Sequence, residues 1–246
     1  REAIAGYYKR FYDADAKAEH TIASNGGKQV LYNLLQALVD PGQEVLLPAP
    51  YWVSYPAMIE LAGGVTVVVP TTVEGNFKAT VADLESKRTD KTRVLILNTP
   101  SNPTGCHYTQ TELDDIAQWA VDKDVFIISD EIYDQLVYPP AKPASLCNWF
   151  VSNPENIAIA GGLAKCFSMT GWRVGFALAH EDLIKAMGKL QGQSTSNINS
   201  VSQRAAIAAL SGNFECVSEM RQSFIRRRDL ALEIISSWPG VVCPKP

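Results

Sequence analysis

The chain has 246 residues, 46% apolar and 20% charged, with 22 basic against 26 acidic residues and a formal charge of −4. A globally disordered chain is excluded, because low hydrophobicity with high net charge is absent, and the 16 glycines and 14 prolines are scattered, which excludes collagen-like and low-complexity readings. The acidic balance argues against a basic nucleic-acid-binding face, and the length suggests one large domain or about one and a half.

Taken in chain order, helical and extended patterns alternate. Residues 1–13 carry Ile4, Tyr7, Tyr8 and Phe11 on one helical stripe. Residues 21–24 form a short approach to the Gly26-Gly27 pair. Residues 28–39 repeat apolar positions at helical spacing, and Asp40-Pro41-Gly42 stops them with turn chemistry. A strand is predicted over 44–47, a helix over 53–62, and a strand over 65–69 after Gly63-Gly64. Residues 81–87 read as a helix and 94–97 as a buried strand. Residues 109–122 read as a helix with Thr109 as N-cap and Glu112 placed for a capping box. Strands follow over 125–128 and 157–160, then helical patterns over 181–191, 201–210 and 216–238. The Arg226-Arg227-Arg228 run on the last of these reads as a solvated face rather than an anion site.

Short, uniformly apolar strands separated by helices imply an α/β fold with a mostly parallel sheet buried on both faces. No apolar run reaches the roughly 18 residues of a membrane span, so no membrane association is expected. The five cysteines are widely spaced and form no CxxC pair, and His20, His107 and His180 are isolated. A disulfide framework or metal site is therefore not expected; reduced cysteines fit a cytoplasmic interior, and the histidines read as surface residues. The chain starts at Arg1 and stops at Pro-Lys-Pro with no closing element, so a piece of a longer protein is expected.

Ligands of parallel α/β sheets sit beyond the carboxyl ends of the strands, and four features fall there. Asn25-Gly26-Gly27-Lys28 opens a helix, whose free amides and partial positive charge suit a phosphate or carboxylate. Lys28 in the first turn opposes the helix dipole, a mismatch that an anionic ligand would repair. In Thr99-Pro100-Ser101-Asn102-Pro103-Thr104-Gly105 the prolines fix the backbone and aim the Asn102 amide. Asp130, with Tyr133 close behind, is a carboxylate at the end of a buried strand that needs a partner. Lys165 is followed eight residues later by Arg173.

The segments Asn102-Pro103-Thr104-Gly105, Ser129-Asp130-Glu131-Ile132-Tyr133 and Lys165 through Met169-Thr170-Gly171-Trp172-Arg173-Val174-Gly175, in this order and spacing, resemble the class I and II aminotransferases. Gly26-Gly27-Lys28-Gln29 and Ala49-Pro50-Tyr51-Trp52-Val53-Ser54-Tyr55 are most similar to the bacterial and plastid aspartate or aspartate/prephenate branch. The resemblance implies the three-layer large domain of fold type I over residues 1–214, a linking helix over 215–238 and the truncated start of a small domain over 239–246. It implies pyridoxal 5′-phosphate as cofactor. Lys165 then forms the Schiff base and, once released, carries the proton from the substrate Cα. Asp130 pairs with the pyridine nitrogen, Tyr133 and Asn102 bond the ring's phenolic oxygen, and Trp52 stacks on the ring. Arg173, Gly26 and Gly27 hold the phosphate. Lys28 is placed for that phosphate or for the distal carboxylate of a dicarboxylic substrate, and Trp52 and Asn102 also face the substrate.

The sequence departs from the family at Gly162 and Ala164, where many members carry a serine, so phosphate binding leans on Arg173 and the helix start. The resemblance further implies a homodimer acting on amino acids and 2-oxo acids, with the α-carboxylate arginine and the N-terminal arm outside this chain. Two alternatives remain open at this point: a lyase on the same scaffold, and an aminotransferase-like effector-sensing module of a regulator.

Overall fold

The computed structural model describes residues 1–245; Pro246, the last residue of the segment expected to open a small domain, lies outside them. The elements in chain order are α1 (Glu2–Tyr12), β1 (Thr21–Asn25), α2 (Gly27–Leu38), β2 (Glu44–Pro48), α3 (Ser54–Leu61), β3 (Val65–Val69), α4 (Val81–Lys87), β4 (Thr92–Asn98), α5 (Gln110–Asp122), β5 (Phe126–Asp130), α6 (Cys147–Ser152), β6 (Ile157–Gly162), β7 (Val174–Leu178), α7 (Glu181–Ser194), α8 (Ser200–Ser211) and α9 (Glu215–Ser236). The capping box on α5 forms as expected: Glu112 N–H donates to Thr109 Oγ1 at 3.3 Å, and Thr109 N–H donates to Glu112 Oε2 at 2.7 Å.

The strands form one seven-stranded sheet in the order β1-β7-β6-β5-β4-β2-β3. Strands β2 to β6 are mutually parallel along this order, while β7 runs antiparallel to both of its neighbours. Successive side chains on a strand face opposite sides, and both sides are packed. Val94 and Ile96 enter one core with Leu34 of α2, Ile59 of α3 and Met187 of α7. Leu95 and Leu97 enter the other with Tyr8 of α1, Leu84 of α4, Leu113 of α5, Phe150 of α6 and Leu210 of α8. The three-layer α/β arrangement is thus the direct result of apolar strands that must be covered on both faces.

Several elements differ from the sequence reading, among them α6, which it did not predict. Residues 21–25 are a full strand, because buried Ser24 donates to Gln191 Oε1 at 2.6 Å and so tolerates its polar side chain. The segment after Arg173 is a strand although Gly175 weakens its pattern. Strand β5 extends through Ser129 and Asp130, which are buried with their side chains hydrogen-bonded. The long α9 buries only Val217, and Leu230, Ile234 and Trp238 are exposed. Among the described residues, no helix is long and apolar enough to cross a membrane.

The reversal at β7 positions the site. Since β1 and β6 are both antiparallel to β7, the carboxyl ends of β1, β2, β4, β5 and β6 share an edge with the amino end of β7. Here the chain passes so close that a Cβ on Gly175 would overlap the backbone of Gly26 and Gly27. Gly175→Ala is therefore expected to lower the unfolding free energy by about 1–3 kcal/mol through overpacking. Urea denaturation measures this, and an unchanged midpoint and slope would show that the close approach is not a constraint.

Candidate active site

The helix start after β1 has features that suit an anion. Gly26, at φ 90°, leads into α2 without a side-chain cap, and the first turn holds no acidic residue. The amides of Gly27 and Lys28 have no intrahelical acceptor. Arg173 at the amino end of β7 packs its guanidinium directly over Gly26, in the space a Cβ would fill. Its Nη1 donates to the Thr170 carbonyl at 3.0 Å and its Nη2 to the Asn25 carbonyl at 3.3 Å. These two bonds hold the cation beside the helix start, where cation and helix dipole reinforce one another toward a negative ligand.

Asp130 ends β5 and is buried. Tyr55 Oη donates to its Oδ2 at 2.6 Å, and Ile132 N–H donates to its Oδ1 at 3.2 Å. Burial pushes the carboxyl up to about 6, against the opposing pull of the Tyr55 and Ile132 donors and the Lys165 charge. Asn98 at the end of β4 clamps the neighbouring backbone: its Nδ2 donates to the Asp130 carbonyl at 2.8 Å, and its Oδ1 accepts from Asn102 N–H at 2.7 Å. Asn102 is thus fixed relative to Asp130 by a side chain as well as by its prolines.

All of the sequence-selected residues except Gly26 line one cavity of about 280 Å³: Gly27, Lys28, Trp52, Asn102, Asp130, Tyr133, Lys165 and Arg173. Gly26 lies behind Arg173 at its rim. Lys165 Nζ is 5.5 Å from the Tyr133 ring centroid, and Lys28 Nζ is 5.0 Å from that of Trp52. The sequence reading gave no role to Tyr55, Asn98 and Thr170, which line the same cavity. Tyr55 stood inside a quoted motif, but its partner is 75 residues away, and no local spacing reports that contact.

Two further acids follow Asp130 and are buried away from the cavity. Glu131 accepts from Ser129 Oγ at 2.8 Å, Ser145 Oγ at 2.6 Å and Leu146 N–H at 3.0 Å, and burial pushes it up to about 7. Asp134 accepts from Tyr7 and from Tyr12, the latter at 2.8 Å. A larger groove of about 1190 Å³ adjoins the cavity and shares Asn102, Tyr133 and Lys165 with it; α9 forms one wall. There the arginine run is not uniformly solvated. Arg226 and Arg227 are exposed, but the Arg228 side chain is only 10% exposed, drawn in because its guanidinium lies 4.9 Å from the Tyr138 ring centroid. The three histidines are half-buried rather than fully on the surface, and His180 caps α7 by accepting from Asp182 N–H at 3.3 Å. Among the described residues, no group of three or more histidine, cysteine or acidic side chains is placed to hold a metal ion.

The Asp130 shift sets a pH dependence. Its folded value lies above the ordinary 3.8, so its stabilising contribution is full below about pH 4 and is lost as pH rises through 6. Asparagine cannot ionise. Relative to Asp130→Asn, the ligand-free wild type is therefore expected to lose up to about 3 kcal/mol of stability between pH 4 and 7. Denaturant titrations at a series of pH values read this difference, and parallel pH profiles for the two proteins would contradict it.

The arrangement has close counterparts among known proteins. The family described as aminotransferase class I and II matches residues 1–246. An aspartate aminotransferase of Streptomyces avermitilis is 42% identical over all of this chain and 60% of its own length. An asparagine–oxo-acid transaminase of Streptococcus mutans is 41% identical over all of this chain and 63% of its own length. The chain thus spans about three fifths of the curated relatives it matches. The solved aspartate aminotransferase of Thermus thermophilus with maleate superimposes with a TM-score of 0.93 at 39% identity, over 99% of this chain and 64% of that one. With motif order, sheet topology and the gathered cavity in agreement, the chain belongs to the class I and II aminotransferases.

Proposed function

We propose that the cavity holds pyridoxal 5′-phosphate and that the full-length protein moves an amino group between an amino acid, with aspartate or glutamate favoured, and a 2-oxo acid. The observation that carries this reading is the convergence of Lys165, Asp130 and Arg173 on one cavity at the carboxyl edge of the sheet. The residues fit the group. The first amides of α2 and the Arg173 guanidinium, which packs over Gly26, offer a cradle for the phosphate. Asp130 is a buried acceptor that gains from a cation beside it. Asn102 and Tyr133 offer polar groups for the ring's phenolic oxygen, and Trp52 offers an aromatic face.

When bound, this cofactor supplies an aldehyde that condenses with amines and a ring that draws electrons from the bond being broken. Asp130 keeps a proton on the pyridine nitrogen. The Lys165 amine would hold the aldehyde and, when free, would carry a proton to and from the substrate Cα. Lys28, exposed at the cavity beside Trp52, receives the distal carboxylate of a dicarboxylic substrate. The Thermus aspartate aminotransferase was solved with maleate, itself a dicarboxylate, which supports this choice. On the same reading residues 1–214 are the cofactor-binding domain, 215–238 link it to a small domain that begins at 239, and the protein is a cytoplasmic homodimer.

In the full-length protein, borohydride is expected to fix the cofactor covalently to the wild type, and Lys165→Ala is expected to lose that label together with transamination. A Lys165→Ala protein that still retains the trapped cofactor would overturn the assignment. A screen of amino donors and 2-oxo acids separates the rivals: a lyase releases pyruvate or ammonia without an acceptor, and a sensing module binds without turnover. Lys28→Ala is expected to raise KM for aspartate at least tenfold, on the scale of one lost charge-assisted contact, while KM for a neutral amino acid changes little. Equal effects on both substrates would leave Lys28 serving the phosphate alone.

A further inference from the structure

We propose that Tyr55 is a positioning residue for Asp130, its hydroxyl fixing the carboxylate that pairs with the cofactor's pyridine nitrogen; this rests on the cofactor reading above. Tyr55 stands in the first turn of α3, is 1% exposed, and reaches Asp130 Oδ2 at 2.6 Å. Ile132 N–H takes the other oxygen at 3.2 Å. Each carboxylate oxygen thus receives one donor, which sets the plane and direction of the group and leaves acceptor capacity free toward the cavity. The Asn98 side chain reaches the Asp130 carbonyl and not its carboxylate, so the carboxylate itself depends on Tyr55 and one backbone amide.

The hydroxyl is suited to donate. Burial and the Asp130 charge raise the Tyr55 phenol well above its ordinary range, so it keeps its proton at any working pH. The remaining charged or titratable groups around the carboxylate are Lys165 and Tyr133, with Lys28 and Arg173 elsewhere on the cavity wall. The Tyr55 ring also packs edge-on against Trp52, with centroids 5.4 Å apart. Removing the hydroxyl alone separates the two roles, because Phe keeps the ring and its packing. Without that donor, burial acts on Asp130 less opposed, and the acid holds its proton to higher pH.

The test titrates the full-length apoprotein with pyridoxal 5′-phosphate from pH 6 to 9, reading the visible band of the lysine-bound cofactor. Tyr55→Phe is expected to bind about tenfold more weakly at pH 7, the scale of one hydrogen bond to a charged group. The gap is expected to close toward pH 9, where Asp130 is ionised regardless. The 15N shift of the pyridine nitrogen at pH 7 moves toward the unprotonated value in the variant. Adding Tyr55→Phe to Asp130→Asn costs no further affinity, because no charge is left to hold. Equal binding by wild type and Tyr55→Phe at every pH overturns the proposal, as does a loss that is the same at every pH, which would mean that the hydroxyl does not act through the Asp130 charge. A Phe variant too unstable to purify assigns Tyr55 to the fold and overturns it too. A wild type that never develops the band refutes the cofactor reading itself, a result distinct from any difference between the two proteins.

Discussion

The site depends on a carboxylate buried at the end of a strand. Asp130, Glu131 and Asp134 lie within five residues and are all buried, yet their surroundings differ. Glu131 faces three donors, and Asp134 takes two tyrosine hydroxyls and the Gln135 amide. These acids are satisfied within the protein and tie α1 and the 145–146 loop to the carboxyl end of β5. Asp130 receives one donor per oxygen and borders open space. A buried charge is tolerated only when paired and hydrogen-bonded, and on the proposed reading the incomplete pairing of Asp130 is completed by the cofactor's pyridine nitrogen. On the proposed reading, perturbed acids of the structural and the functional kind both occur here, and the remaining acceptor sites, rather than the shift alone, tell them apart.

The second constraint is the direction of β7. In a fully parallel sheet a strand following Arg173 would begin at the edge opposite the site. Because β7 is antiparallel, its amino end lies beside the carboxyl end of β1, and Arg173 faces the start of α2. One reversal therefore joins a cation supplied late in the chain to a helix start supplied early, and the Gly175 contact with the backbone of Gly26 and Gly27 locks the two together.

Much of this was legible in the sequence, for identifiable reasons. The apolar runs of β2, β4, β5 and β6 announce strands buried on both faces, and the helices between them keep a periodicity that survives packing. The motif residues were legible because each sits next to a strand end in sequence. What escaped depends on distant pairing. The polar strand β1 is stabilised by Gln191 of α7, β7 is interrupted by a glycine whose purpose is a contact 149 residues away, and Tyr55 and Asn98 act on Asp130 across 75 and 32 residues. Arg228 looked like part of a charged face, and only the fold reveals the Tyr138 ring beside it.

The departure at Gly162 has a packing explanation. A Cβ there would lie 2.9 Å from both Ile132 Cδ1 and the Val174 carbonyl, distances that real Cβ atoms do not show. A serine at this position would displace either the Ile132 side chain, whose backbone amide donates to Asp130, or the start of β7, which carries Arg173. Either shift would disturb a group the proposed site needs more than one additional hydroxyl. Thr170 lines the same cavity, and its carbonyl accepts from Arg173. On the proposed reading, the anion is then held by one fixed guanidinium and the first amides of α2. Both are aimed by backbone geometry, and neither depends on a side chain at 162 or 164.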